Sequence, residues 1–212
     1  MIAIVDYGVG NLFSLSHSLR HIGAEPVVTR DAQVILSADH VILPGVGAFG
    51  DAAKKLISSG LDGAVRRAAG AGTPLLGICV GMQLLFDRSY EFGVHAGLGL
   101  IPGEVRPIAE VIDPALKIPH IGWNKLTLAL DHTGAPHPIL RALKPGDSVY
   151  FVHSYAATGC EDSVIATTEY SCPLTAAVAR GNVCGTQFHP EKSGPVGLSI
   201  LKAFCEWSGS AT

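Results

Sequence analysis

Residues 73–86 read TPLLGICVGMQLLF. This stretch constrains the chain more than any other. An apolar run enters Gly77-Ile78-Cys79-Val80-Gly81, and apolar positions at helical spacing follow. A residue between a strand and a helix, flanked by two glycines, sits on a sharp turn and projects from the end of a sheet. Side chains at the glycine positions would collide with that tight backbone. The helix start would aim its amide N–H groups at the Cys79 sulfur, favouring thiolate and offering donors to an oxyanion. A buried cysteine in a core strand has the same flanks. The nucleophile reading therefore requires a base elsewhere in the chain.

The surrounding pattern is that of a parallel sheet. Ile2–Val5 is a continuous apolar run ending at Asp6-Tyr7-Gly8-Val9-Gly10-Asn11. Leu12, Leu15, Leu19 and Ile22 then recur at helical spacing, and Gly23 stops the helix. Residues 26–29 and 40–43 read as further strands, the second ending at Pro44-Gly45-Val46-Gly47. Residues 31–36, 51–57 and 62–69 read as helices. Strand, glycine turn and helix in repetition predict an α/β chain with a mostly parallel central sheet and helices on both faces. Ligands of such sheets bind beyond the carboxyl ends of the strands.

Past residue 88 the character changes. Residues 88–103 are glycine-rich and read as a loop. Residues 104–130, broken by Pro107, Pro114 and Pro119, read as short antiparallel strands, which predicts a small additional antiparallel sheet. Residues 136–143 suggest a short helix. Residues 148–153, 163–168, 175–179 and 183–188 suggest strands, and 195–207 a closing helix. No repeat or linker divides the chain, so one domain over 1–212 is expected.

Composition excludes several classes. Net charge is −3 with 16% charged residues and no basic run, which argues against nucleic acid as a partner. Mean hydropathy is +0.35, yet the longest apolar run is interrupted by glycine and Gln83, so no membrane partner is expected. The opening MIAIVDYG reads as a strand, without the basic start of a signal peptide. Five cysteines, odd in number and without C-x-x-C, predict neither a disulfide framework nor a zinc site. They suggest a reducing, cytoplasmic setting.

The base is found near the end of the chain. His189 and Glu191 flank Pro190 after an apolar strand. Proline biases His189 toward an extended conformation, and alternation puts residues i and i+2 on one side. Glu191 can then orient one imidazole nitrogen while the other meets a thiol. A surface His-Pro-Glu turn has the same sequence; the elbow cysteine favours the triad. None of the nine histidines has metal-ligand spacing.

These residues carry a family. Gly77-Ile78-Cys79-Val80-Gly81-Met82-Gln83 with Phe188-His189-Pro190-Glu191 resembles the class I (triad) glutamine amidotransferases. More narrowly, five stretches resemble the glutaminase subunits of imidazole glycerol phosphate synthases. They are Asp6-Tyr7-Gly8-Val9-Gly10-Asn11-Leu12, Pro44-Gly45-Val46-Gly47-Ala48-Phe49, Pro119-His120-Ile121-Gly122-Trp123-Asn124, Tyr150-Phe151-Val152-His153-Ser154-Tyr155 and Phe188-His189-Pro190-Glu191-Lys192-Ser193-Gly194. The resemblance implies a flavodoxin-like fold and hydrolysis of L-glutamine to glutamate and ammonia. Cys79 would be nucleophile, His189 base and Glu191 its orienter. Oxyanion donors are implied at Val80 and at Val46 or Gly47. Glutamine binding is implied for Gly47, Gln83, His153, Ser154 and Tyr155. No cofactor is implied. The implied partner is a separate (β/α)8-barrel cyclase chain (HisF), in a heterodimer that passes ammonia to a ribulosyl nucleotide in histidine biosynthesis. Asn11, His120, Trp123, Asn124 and Lys192 match positions at or near the docking face. A different acceptor, or γ-glutamyl hydrolysis, is the alternative, and Pro44–Gly47 and Pro119–Asn124 argue against it.

Overall fold

The computed structural model describes residues 1–209. Its centre is a nine-stranded mixed sheet. In chain order its strands are β1 (Ile2–Val5), β2 (Pro26–Thr29), β3 (His40–Gly45) and β4 (Leu75–Cys79). A second, smaller sheet takes β5 (Arg88–Ser89), β6 (His95–Ala96), β7 (Glu104–Pro107) and, later in the chain, β10 (Tyr155–Thr158). The large sheet resumes with β8 (His120–Leu128), β9 (Ser148–His153), β11 (Val164–Glu169), β12 (Pro173–Arg180) and β13 (Val183–Thr186). The spatial orders are β2-β1-β3-β4-β13-β12-β11-β8-β9 and β10-β7-β5-β6.

From β2 to β13 all neighbours are parallel; from β13 to β9 all are antiparallel. The helices are α1 (Leu12–His21), α2 (Ala32–Leu36), α3 (Phe49–Ser58), α4 (Leu61–Gly70), α5 (Val80–Gln83) and α6 (Gly194–Cys205). α1 packs with α6, while α4 packs with α2 and α3. Right-handed crossovers put these two groups on opposite faces. With both faces covered, β1, β4 and β13 bury every residue, which is why they read as unbroken apolar runs.

The class of fold is as expected, and three details differ. Of the expected antiparallel stretch, β8 extends the main sheet, while β7 joins the small one, antiparallel to β10. The separate small sheet is mixed, since β5 runs parallel to β7. It draws strands from 88–103, a stretch read as loop, because two-residue strands carry no periodicity. The helix after the elbow is four residues long, and residues 84–87 are turns and bends. The sulfur is therefore served by first-turn N–H groups and not by a long aligned dipole.

Candidate active site

Register brings the strand ends together. Gly45 of β3 pairs with Cys79 of β4, and Thr186 of β13 pairs with Ile78. The chain leaving β13 therefore passes the sulfur at Gln187 and His189. Cys79 itself holds φ 55°, ψ −113°, a backbone conformation that side chains rarely adopt and that persists only where the surroundings impose it. The surroundings are backbone packed on backbone. A Cβ on Gly81 would lie 1.9 Å from the Leu43 carbonyl oxygen, and one on Gly77 would lie 2.7 Å from the Gly81 carbonyl oxygen. The two glycines around Cys79 are there for close approach.

His189 is almost wholly buried, and its Nδ1 lies 2.8 Å from Glu191 Oε1. The other ring nitrogen is left free to serve Cys79, which lines the same cavity as the imidazole. The extended conformation of His189 (φ −99°, ψ 99°) and the 3-10 turn at Pro190–Lys192 produce this arrangement. Backbone bonds hold it: His189 N–H donates to the Tyr150 carbonyl at 3.0 Å, and the Ser193 hydroxyl donates to the His189 carbonyl at 2.6 Å. Burial pulls the imidazole pKa down. Hydrogen bonds to Cys79 and Glu191, with the attraction of their charges, outweigh it and carry the pKa up to about 9. The protonated ring is thus the form these two neighbours favour. Glu191 Oε2 meets no donor among the described residues, so this carboxylate serves the imidazole.

The triad opens on a cavity of about 400 Å³. Of the predicted residues, Val46, Gly47, Cys79, Val80, Gln83, His153, Ser154, Tyr155, His189 and Lys192 all line it. Val80 begins α5, so its N–H has no acceptor within its own helix. Gly47, at φ +86°, sits in the exposed turn after β3. Glu91 also lines the cavity; its Oε2 accepts from the Phe49 N–H at 2.6 Å. The residue reading missed Glu91, which lies in the stretch taken for loop. It also missed Tyr7, whose hydroxyl donates to the Pro44 carbonyl at 2.7 Å. Burial and the neighbouring Cys79 sulfur push the Tyr7 phenol pKa up.

The predicted docking residues divide. Trp123 is 56% exposed, beside exposed Ile121 and Ile118. Its ring packs edge-on against Tyr150, over which the Lys192 ammonium sits. His120 is different: its side chain is turned inward and is 1% exposed. Strand alternation explains the difference, since His120 and Asn124 point to the opposite face of β8 from Ile121 and Trp123. His120 Nδ1 lies 2.9 Å from His153 Nε2, and its Nε2 lies 3.0 Å from the Asn124 side chain. His153 Nδ1 faces the Tyr155 carbonyl at 2.9 Å, which can only accept, so that nitrogen carries the proton. Asn11 spends its side-chain oxygen capping α1 at the Ser14 N–H, 3.3 Å away.

The sequence profile "Glutamine amidotransferase class-I" matches residues 3–206. The chain belongs to the class I glutamine amidotransferase family. Among relatives of this amidotransferase is "Imidazole glycerol phosphate synthase subunit HisH" of Wolinella succinogenes, 46% identical over 208 residues, covering 97% of this chain and 99% of the relative. The protein of the same name from Lacticaseibacillus casei is 48% identical over 206 residues, covering 97% and 95%. That from Rhodospirillum rubrum is 46% identical over 218 residues, covering 98% and 99%. Solved structures share the amidotransferase fold at lower identity. PurLQS from Thermotoga maritima aligns with a TM-score of 0.70 at 21% identity, covering 97% of each chain. A crystal structure titled glutamine amidotransferase gives 0.70 at 18%, covering 97% of this chain and all of the other. Among the described residues, no helix is long and apolar enough to cross a membrane.

Proposed function

We propose that this amidotransferase is the glutaminase subunit of an imidazole glycerol phosphate synthase. The observation that carries the reading is the buried line of Cys79, His189 and Glu191 at the mouth of a cavity lined by Gly47, Gln83, Ser154 and Tyr155. In the proposed reaction the Cys79 sulfur attacks the side-chain amide carbon of L-glutamine. The oxyanion is met by the Val80 N–H and by a second donor from the Val46–Gly47 turn. His189 gives its proton to the departing nitrogen, and ammonia leaves behind a γ-glutamyl thioester. His189 then takes a proton from water, which adds to the thioester. The carbon–sulfur bond breaks, thiolate returns and glutamate departs. Glu191 holds the imidazole in orientation throughout. Glu91 and Lys192 supply opposite charges at the cavity wall, suited to the ammonium and carboxylate of an amino acid.

Ammonia released into water would be protonated and lost as a nucleophile. The relatives' name supports a partner that captures it: a separate (β/α)8-barrel cyclase subunit, HisF. That subunit would convert the ribulosyl nucleotide PRFAR to imidazole glycerol phosphate and AICAR. Trp123 with Ile118 and Ile121 forms an exposed apolar patch suited to docking, Trp123 being the anchor. The test is co-purification with a barrel cyclase, glutamate release with and without the cyclase's nucleotide, and rescue of a histidine auxotroph. Glutamate release without rescue would move the chain to a different acceptor. No release under any condition would end the glutaminase reading.

A further inference from the structure

Gln187 has no part in the mechanism above, yet it is fully buried and touches the nucleophile. Its Nε2 lies 3.8 Å from the Cys79 sulfur, and its Oε1 lies 3.0 Å from Gln83 Nε2. The orientation of this amide pair is forced from outside. Gln83 also faces the Tyr155 carbonyl oxygen at 3.2 Å. A carbonyl only accepts, so the end of Gln83 at that point is its NH2. The same NH2 reaches Gln187, so the near end of Gln187 is its oxygen. The end turned to the sulfur must then be a donor. Turning Gln187 over would set two NH2 groups against each other and an oxygen against the sulfur.

We propose that Gln187 is a further functional residue of the reaction, whose side-chain N–H donates to the Cys79 sulfur and stabilises it as thiolate, with Gln83 and the Tyr155 carbonyl holding that donor in place. The proposal rests on the glutaminase reading for its chemistry. In the free enzyme the contact sets an N–H donor against the sulfur, where it meets the negative charge of the thiolate. During acylation the sulfur's electron pair becomes the carbon–sulfur bond, and the contact weakens. During hydrolysis that bond breaks, the pair returns to sulfur, and the donor assists its departure. The same chain of amides ties the sulfur to Gln83 and Tyr155 at the wall of the cavity.

The test is the rate of Cys79 alkylation by iodoacetamide against pH, resolved by peptide mass spectrometry from the other four cysteines. It compares the parent with Gln187→Met and Gln187→Glu. Methionine keeps the length of the side chain without a donor. Glutamate keeps the acceptor for Gln83 and replaces the donor with an oxygen. A donor to a charged group is expected to shift the alkylation midpoint up by roughly one pH unit in Gln187→Met. The shift should be larger in Gln187→Glu, where a carboxylate opposes the thiolate. Turnover should fall about tenfold or more while KM stays within about threefold, since the contact is to the sulfur and not to substrate. A parent with a low midpoint, and folded variants whose profiles superimpose on it, would overturn the role of Gln187 and leave the glutaminase reading standing. If one variant fails to fold, the other decides. A parent whose Cys79 alkylates like an ordinary thiol would remove the activated nucleophile, and this proposal with it.

Discussion

The two halves of the large sheet bury their side chains in different ways. In the parallel half, β1, β4 and β13 are buried at every residue. In the antiparallel half, β8 and β9 alternate between inward and outward positions. A strand covered on both faces has no room for polar groups along its body, so chemistry there is confined to strand ends. Cys79 ends β4, and His189 follows the end of β13. A strand covered on one face can carry function along its length. β8 points Trp123 and Ile121 outward, while His120 on its other side reaches His153 of β9. Cys79 and His189 are thus fixed by backbone packing, and the proposed substrate wall and docking patch by alternation.

Breaking the parallel half at its chemical end should have the largest effect. Cys79→Ala should reduce glutamate release by about 10⁴-fold or more while the protein stays folded. A coupled glutamate assay with circular dichroism checks this, and retained turnover would place the nucleophile elsewhere. The backbone contact beneath that residue should be the next most sensitive. In Gly81→Ala the new Cβ meets the Leu43 carbonyl at 1.9 Å, and neither backbone segment can move freely. A loss of about 3 kcal/mol or more in urea unfolding is expected. On the antiparallel side Trp123→Ala sharpens the contrast. An exposed position should change stability by less than about 0.5 kcal/mol, while cyclase affinity, read by titration calorimetry, should weaken by about 2 kcal/mol.

pH should act with opposite signs at the two sites. The folded pKa of His189, about 9, lies above its ordinary value of 6.5. Its contribution to stability is full below 6.5 and lost as pH rises through about 9. Burial, outweighing the bond to the Tyr155 carbonyl, holds His153 down at about 4. Its neutral form contributes fully above 6.5, and that contribution is lost as pH falls through about 4. Unfolding free energy against pH should therefore fall on both sides. His189→Gln should flatten the alkaline limb and His153→Gln the acid limb, each by an amount on the order of 2 kcal/mol. Loss of both limbs in a single variant would show that the two sites are not separate.

Much of the site is legible without coordinates because its geometry is local. Gly77 and Gly81 announce a tight joint around Cys79, and Pro190 sets His189 and Glu191 to act as a pair. β1, β4 and β13 are legible because burial on both faces demands unbroken apolar runs. The remaining features depend on partners far apart in the chain. Gln187 meets Gln83 across 104 positions and Cys79 across 108, and its own neighbours give no hint of either contact. Glu91 belongs to a segment whose strands are too short to show a period. His120 shares a motif with Trp123, and alternation along β8 sends the two side chains to opposite faces, but only the packing of the sheet decides which face is inside.

The order of residues thus determined, by itself, the proposed reacting groups and the sharp bends that present them, since those bends depend on covalent neighbours and on the absence of a Cβ. Only the tertiary structure decided that the imidazole and the sulfur line one cavity, that Gln187 turns its N–H toward the sulfur, and that His120 lies inside while Trp123 lies outside. The physical reason is that hydrogen-bond reach and burial depend on strand order and register. Those are settled by the packing of the whole sheet, and no short stretch of the chain encodes them.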